Sequence, residues 1–85
     1  MFMEKELVIV IKGNIRKQLI LNLLIPNTPT NLAKKLNAHR SSVSRTLLFL
    51  EKSNLVKCIN KEDSFGRIYK LTEKGKKVYD KVRKM

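Results

Sequence analysis

The stretch Thr28-Pro-Thr-Asn-Leu-Ala-Lys-Lys-Leu36, followed by Asn37 and Ala38 and then His39-Arg-Ser-Ser-Val-Ser-Arg-Thr-Leu-Leu-Phe-Leu-Glu-Lys-Ser53, reads as two short helices around a tight turn. Thr28 suits an N-cap, its hydroxyl placed to accept from a backbone N–H of the first turn. Pro29 suits the first helical position, where its missing N–H costs nothing and its φ is already set. Asn37 tolerates a positive φ better than most residues, so it ends the first helix at Leu36. Asn54 does the same for the second.

Downstream, Leu55-Val-Lys-Cys-Ile59 alternates as a strand does, and Asn60 to Gly66 holds the Asn, Asp, Ser and Gly of a hairpin loop. Arg67-Ile-Tyr-Lys-Leu71 is the expected return strand. Thr72 then caps a last helix, about residues 73–84, whose first residue Glu73 suits the positive end of the helix dipole. Val78, Tyr79, Val82 and Met85 share one face of it. Upstream, Leu7, Ile11, Ile15 and Leu19 recur every four residues, which favours helix, although the β-branched run Val8 to Ile11 favours strand by propensity. The reading adopted is two helical pieces broken at Gly13-Asn14, with Asn14 capping a helix over Ile15 to Leu24 that ends before Pro26. The expected class is mainly α with a small β-hairpin (α+β), in one domain over residues 1–85.

Eighty-five residues leave a core too small to house a buried active site comfortably. Nineteen Lys and Arg against seven Asp and Glu give a net charge of +12 and point to a polyanionic partner, nucleic acid ahead of an anionic membrane surface; a generally lysine-rich composition is the bland alternative. The excess is uneven. Residues 1–33 carry four basic and two acidic side chains, residues 34–66 seven and three, residues 67–85 eight and two. The single cysteine, Cys58, excludes a disulfide framework and a multi-cysteine zinc site within one chain, and it fits a reducing cytoplasm. The longest apolar run, Leu7 to Ile11, is far short of the roughly 20 residues that span a bilayer. A cytoplasmic location is expected.

Four pieces in order carry a specific resemblance: Thr28 to Leu36, Arg40-Ser-Ser-Val-Ser-Arg45, Leu50-Glu-Lys-Ser-Asn-Leu-Val56 and Gly66-Arg-Ile-Tyr-Lys-Leu-Thr-Glu-Lys-Gly75. Over about residues 14–80 the chain resembles the compact winged helix-turn-helix transcriptional regulators of archaea and bacteria, and among those the MarR-type. The resemblance implies a helix-turn-helix at about 28–53, a wing hairpin at about 55–71, and sequence-specific binding of double-stranded DNA as a transcriptional regulator.

At 3.6 residues per turn, Val43, Leu47 and Leu50 share a face that packs on Leu32 and Leu36, which leaves Ser41, Ser44 and Arg45 pointing outward and Arg40 flanking the stripe. Helix, short turn, helix is the skeleton that lays its second helix in the DNA major groove. Small serines let that helix approach the bases, and arginine can place two hydrogen bonds on guanine O6 and N7. Ser42 lies at the edge of the face, where it can serve capping instead. His39 falls at the N-cap, as a cap or a donor facing phosphate; a metal role lacks any partner at ligand spacing. By resemblance, Arg67 is the leading wing contact, with Lys61 and Ser64 secondary and Glu62 and Asp63 opposing them. Lys34 and Lys35 are expected near the DNA backbone as nonspecific charge. No cofactor is expected.

Leu48 and Phe49 depart from the family pattern, in which both positions are usually polar. Both lie off the core face by helical count. Either the N-terminal segment folds over them or they belong to a homodimer interface, to which the terminal helices could also contribute; core packing explains the terminal helices equally well.

An enzyme has little support: the chain offers no nucleophile paired with a base, no phosphate-cradling glycine loop, and no carboxylate pair in a fold big enough for a pocket. The main alternative is a winged-helix adaptor for protein or RNA contact within a transcription or RNA-processing assembly. Against RNA stand the absence of Trp and the scatter of three Phe and two Tyr. Membrane-surface binding by the basic C-terminal helix is a minor candidate, since its apolar face is narrow.

Overall fold

Thr28 and Pro29 start a helix as their chemistry requires: the Thr28 hydroxyl accepts from Asn31 N at 3.2 Å, and α2 runs Pro29–Leu36. The chain is seen here in a computed structural model that describes residues 13–63 and 66–84. Before α2 lies α1, Asn14–Leu21, and after it α3, Arg40–Lys52; then come β1, Val56–Cys58, β2, Tyr69–Leu71, and α4, Glu73–Arg83. The expected helix over residues 4–12 and the side chains of Ser64, Phe65 and Met85 lie outside the described residues.

Both αL stops hold. Asn37 has φ 53° and Asn54 φ 64°. Each closes a Schellman motif. Ala38 N donates to Ala33 O (2.9 Å) and Asn37 N to Lys34 O (3.3 Å), while Leu55 N donates to Leu50 O (2.9 Å) and Asn54 N to Glu51 O (3.0 Å). The second motif turns the chain sharply enough to bury Leu55 under α3. Thr72 caps α4 by accepting from Gly75 N at 3.0 Å, and its own hydroxyl donates to Asn54 O at 2.7 Å. One threonine thus ties the start of α4 to the end of α3.

The ends of α1 differ from expectation. Gly13, in extended conformation, is its N-cap, with no side-chain cap bond, so Asn14 is the first helical residue rather than the cap. The helix stops at Leu21, not Leu24. Asn22 ends it by folding its amide Nδ2 back onto Gln18 O at 2.8 Å, and Leu23 is then free of helical phase and turns into the core, fully buried. The strands are also shorter than expected. Val56 pairs with Leu71, Lys57 with Lys70 and Cys58 with Tyr69; Leu55 belongs to the Schellman turn, and Arg67 and Ile68 to the loop. A pairing unseen in the sequence joins Asn27 to the outer edge of β2, with Asn27 N donating to Tyr69 O (3.0 Å) and Tyr69 N to Asn27 O (2.8 Å).

The core is one cluster. Leu19, Ile20 and Leu23 of the α1 region meet Leu32, Val43, Leu47 and Leu50 of the helix pair, with Leu55, Val56, Leu71, Val78 and Val82 closing it below. The expected apolar stripe of α3 is buried completely. Leu36 is only partly buried, at the edge of the cluster. That packing fixes which face of α3 is left outside.

Candidate nucleic-acid interface

Burial of Val43, Leu47 and Leu50 turns Ser41 and Arg45 to the exterior, where both are exposed; Ser44 is half-buried at the flank. Among the described residues no hydrogen bond or ion pair engages the side chain of Ser41 or Arg45. Arg40 is exposed and held: its Nε donates to Thr30 Oγ1 at 3.1 Å, across the turn between the two helices. Thr30 was not singled out by sequence reasoning. Its position at the second residue of α2 is the signal that could have found it, because that turn must face the start of α3.

Beside this face lies an open cleft of about 310 Å³ between α3 and the hairpin. Thr28, Thr30, Arg40, Ser44, Leu48, Arg67 and Tyr69 are among the residues that line it, two of them arginines, and no carboxylate is among the lining residues. A second hollow continues past Leu48 and Arg67 to Glu51, Lys52, Cys58 and Lys61. Lys61 is there, but its ammonium pairs with Glu51 at 3.4 Å, which aims it at α3 and offsets its charge. Arg67 donates from Nε to Asp63 O at 3.1 Å, so it braces the hairpin while remaining exposed. The hairpin's geometry rests on Asn60. Its Oδ1 accepts from Ile68 N (2.7 Å) and from Cys58 Sγ (3.5 Å), and its Nδ2 donates to Gly66 O (3.2 Å).

His39 occupies the N-cap position of α3 without a side-chain cap bond. It lines a third, shallow hollow with Lys34 and Arg40 at the turn. Ser42 offers no cap either; its carbonyl instead accepts from Thr46 Oγ1 at 2.7 Å. Lys34 therefore stays with the α3 face and Lys35 does not. Lys35 lines a separate groove with Leu21, Leu24, Ile25 and Tyr79. The structure brings Arg40, Ser41, Ser44, Arg45, His39, Lys34 and Arg67 to one side of the molecule, puts Lys61 at its margin, and sets Lys35 apart.

Leu48 and Phe49 are not one apolar patch. Phe49 is partly buried against the core, with the Arg16 guanidinium 4.1 Å from its ring centroid, so α1 covers it by packing and a cation–π contact. Leu48 points the other way, 48% exposed, into the clefts beside the hairpin. The expectation that both residues need the same cover is corrected: consecutive helical residues lie about 100° apart, enough to send one to α1 and the other to the hairpin.

This arrangement can hold a polyanion along a cationic groove. Among the described residues no cluster of three metal-ligating side chains occurs, and no helix is long and apolar enough to cross a membrane.

No protein-family model matches the sequence, and no curated protein sequence matches it either. Solved structures do match by shape. The adhesin competence repressor AdcR of Streptococcus pyogenes superposes with a TM-score of 0.76 at 23% identity, over 85% of this chain and 55% of that one. The chain shares that fold, a winged helix-turn-helix. A MarR-family transcription regulator superposes with a TM-score of 0.73 at 23% identity, over 85% and 50% of the two chains. Lactococcus lactis ZitR, solved in complex with DNA, gives 0.72 at 23% identity, over 80% and 48%. The chain spans about half the length of these structures.

Proposed function

We propose that this protein is a sequence-specific binder of double-stranded DNA and a transcriptional regulator, with α3 in the major groove and the hairpin against the flanking backbone or minor groove. The observation that carries the reading is the outward face of α3, where Ser41 and Arg45 stand exposed with no partner among the described residues, flanked by Arg40 and Arg67. Ser41 and Ser44 keep the helix surface low. Arg45 is the base-reading side chain, and Arg40, His39, Lys34 and Arg67 meet phosphates, with Ser42 and Lys61 at the margins. The fold shared with a repressor and with a DNA-bound protein supports the same reading.

The protein acts as a homodimer in this proposal. Phe49 is already covered by α1, so pairing falls to α4 and the segment that follows α1, where Leu24 and Ile25 remain 53% and 77% exposed beside Tyr79. An RNA adaptor has less support. Among the described residues Tyr69 is buried and Phe49 and Tyr79 are partly buried, which leaves no aromatic platform for unstacked bases.

Selection of bound sequences from randomised duplexes tests the reading. The expected product is a two-fold symmetric site with half-sites about 10 base pairs apart. On that site Arg45→Ala should cost roughly 1–3 kcal/mol and relax choice at one position. Equal loss on random DNA would reassign Arg45 to phosphate contact, and failure to enrich any duplex would overturn the proposal.

A further inference from the structure

We infer that Leu48 is a specificity-determining residue that reads the C5-methyl group of thymine, an inference that rests on the DNA-binding reading of α3. Leu48 is the one large apolar side chain on the exposed side of that helix: Val43, Leu47 and Leu50 are buried in the core, and Phe49 is held by Arg16. Seven residues after Ser41, it returns to within about 20° of the same helical direction. Ser41, Ser44, Arg45 and Leu48 therefore form one continuous stripe, about 10 Å long at 1.5 Å per residue. That length covers about three base-pair steps at 3.4 Å each.

The walls of the groove around Leu48 decide what fits against it. Arg40 and Arg67 flank Leu48 on one side and Lys52 and Lys61 on the other, with Glu51 the single carboxylate of the lining. Arg40, Arg67 and Lys52 around an apolar spot, with Lys61 offset by Glu51, disfavour another protein's hydrophobic helix and favour a polyanion that carries an apolar group on its edge. In the major groove of DNA the thymine C5-methyl is that group; cytosine carries only a hydrogen at C5, and the purines carry no methyl there. The flanking cations hold the backbone and Leu48 meets the methyl.

The test scans the selected duplex with deoxyuridine in place of each thymine, which removes the methyl and leaves pairing intact. The wild-type protein should lose about fourfold in affinity at one thymine of each half-site, as expected for one buried carbon. Leu48→Ala should bind the thymine duplex more weakly by a similar factor and show no further loss with deoxyuridine at that position, while Leu48→Met, which keeps apolar reach, should retain the sensitivity. Tight wild-type binding that no thymine replacement weakens overturns the assignment of Leu48 and leaves the DNA-binding reading standing; that result needs no variant. Equal methyl sensitivity in wild type and Leu48→Ala also overturns it. Failure to bind any duplex removes the reading beneath, and this inference with it.

Discussion

Gly75 shows how a single residue sets the geometry on which the reading face depends. It sits at the third position of α4, buried, and a Cβ built on it would overlap the backbone carbonyl oxygen of Leu55 and come within 3.2 Å of the Leu71 side chain. That carbonyl is already engaged, accepting from Thr72 N at 3.1 Å. At an open helical position, exchange of glycine for alanine gains about 1 kcal/mol. Here the gain is lost, because backbone must move and the Leu55–Thr72 bond with it; overpacking of this kind costs about 1–3 kcal/mol, and the broken bond adds to it. Gly75→Ala should therefore lower Tm by about 5 °C or more in a thermal melt followed by circular dichroism. A rise in Tm would mean that α4 does not approach Leu55 this closely.

At the scale of elements, the hairpin depends on one side chain more than on its ladder, which is only three residue pairs long. Asn60 satisfies Ile68 N, Gly66 O and the Cys58 thiol together. Asn60→Ala strands a part-buried N–H, a cost of about 1–3 kcal/mol that falls on the hairpin rather than on the helices. Amide exchange at Ile68 and Ile59 should accelerate by roughly tenfold or more while the amides of α3 keep their protection, because a local opening of that size is paid only where the bond was. Uniform acceleration across α3 would show that hairpin and helices open as one unit. Elements whose ends are set by their own residues were legible in the sequence: Thr28 with Pro29, Asn37, Asn54 and Thr72 each act within a few residues of themselves. Elements whose ends are set elsewhere were not. The end of α1 depends on whether Asn22 folds back on Gln18 or lets the helix run on, and apolar Leu23 and Leu24 fit either outcome. The pairing of Asn27 with Tyr69 and the stacking of Arg16 on Phe49 join residues far apart in the chain, and no local pattern announces them. The same holds within the candidate site, where Ser41 and Arg45 follow from helical phase alone but the Arg40–Thr30 bond and the departure of Lys35 require knowing how α2 and α3 cross.

For the whole molecule, the net charge of +12 counts more than any one face can use. Lys34, Arg40, Arg45, Lys52 and Arg67 lie on the α3 side, Lys61 is offset by Glu51, and Lys35 lines a groove elsewhere. Each neutralised phosphate releases condensed counterions and contributes about −0.9 to the slope of log K against log salt concentration. If Arg45 reads a base and the other four cations meet phosphates, the slope is about −4 per subunit, well short of the value that twelve charges would give. The two neighbouring lysines separate local contact from bulk charge, since they differ in direction and not in kind. Lys34→Gln should flatten the slope by about 1 and weaken binding equally on all sequences, whereas Lys35→Gln, which removes the same charge, should leave the slope unchanged. Titrations at several salt concentrations measure both. Equal flattening by the two variants would mean that the charge of the whole molecule, and not the face presented by α3, governs its attraction to DNA.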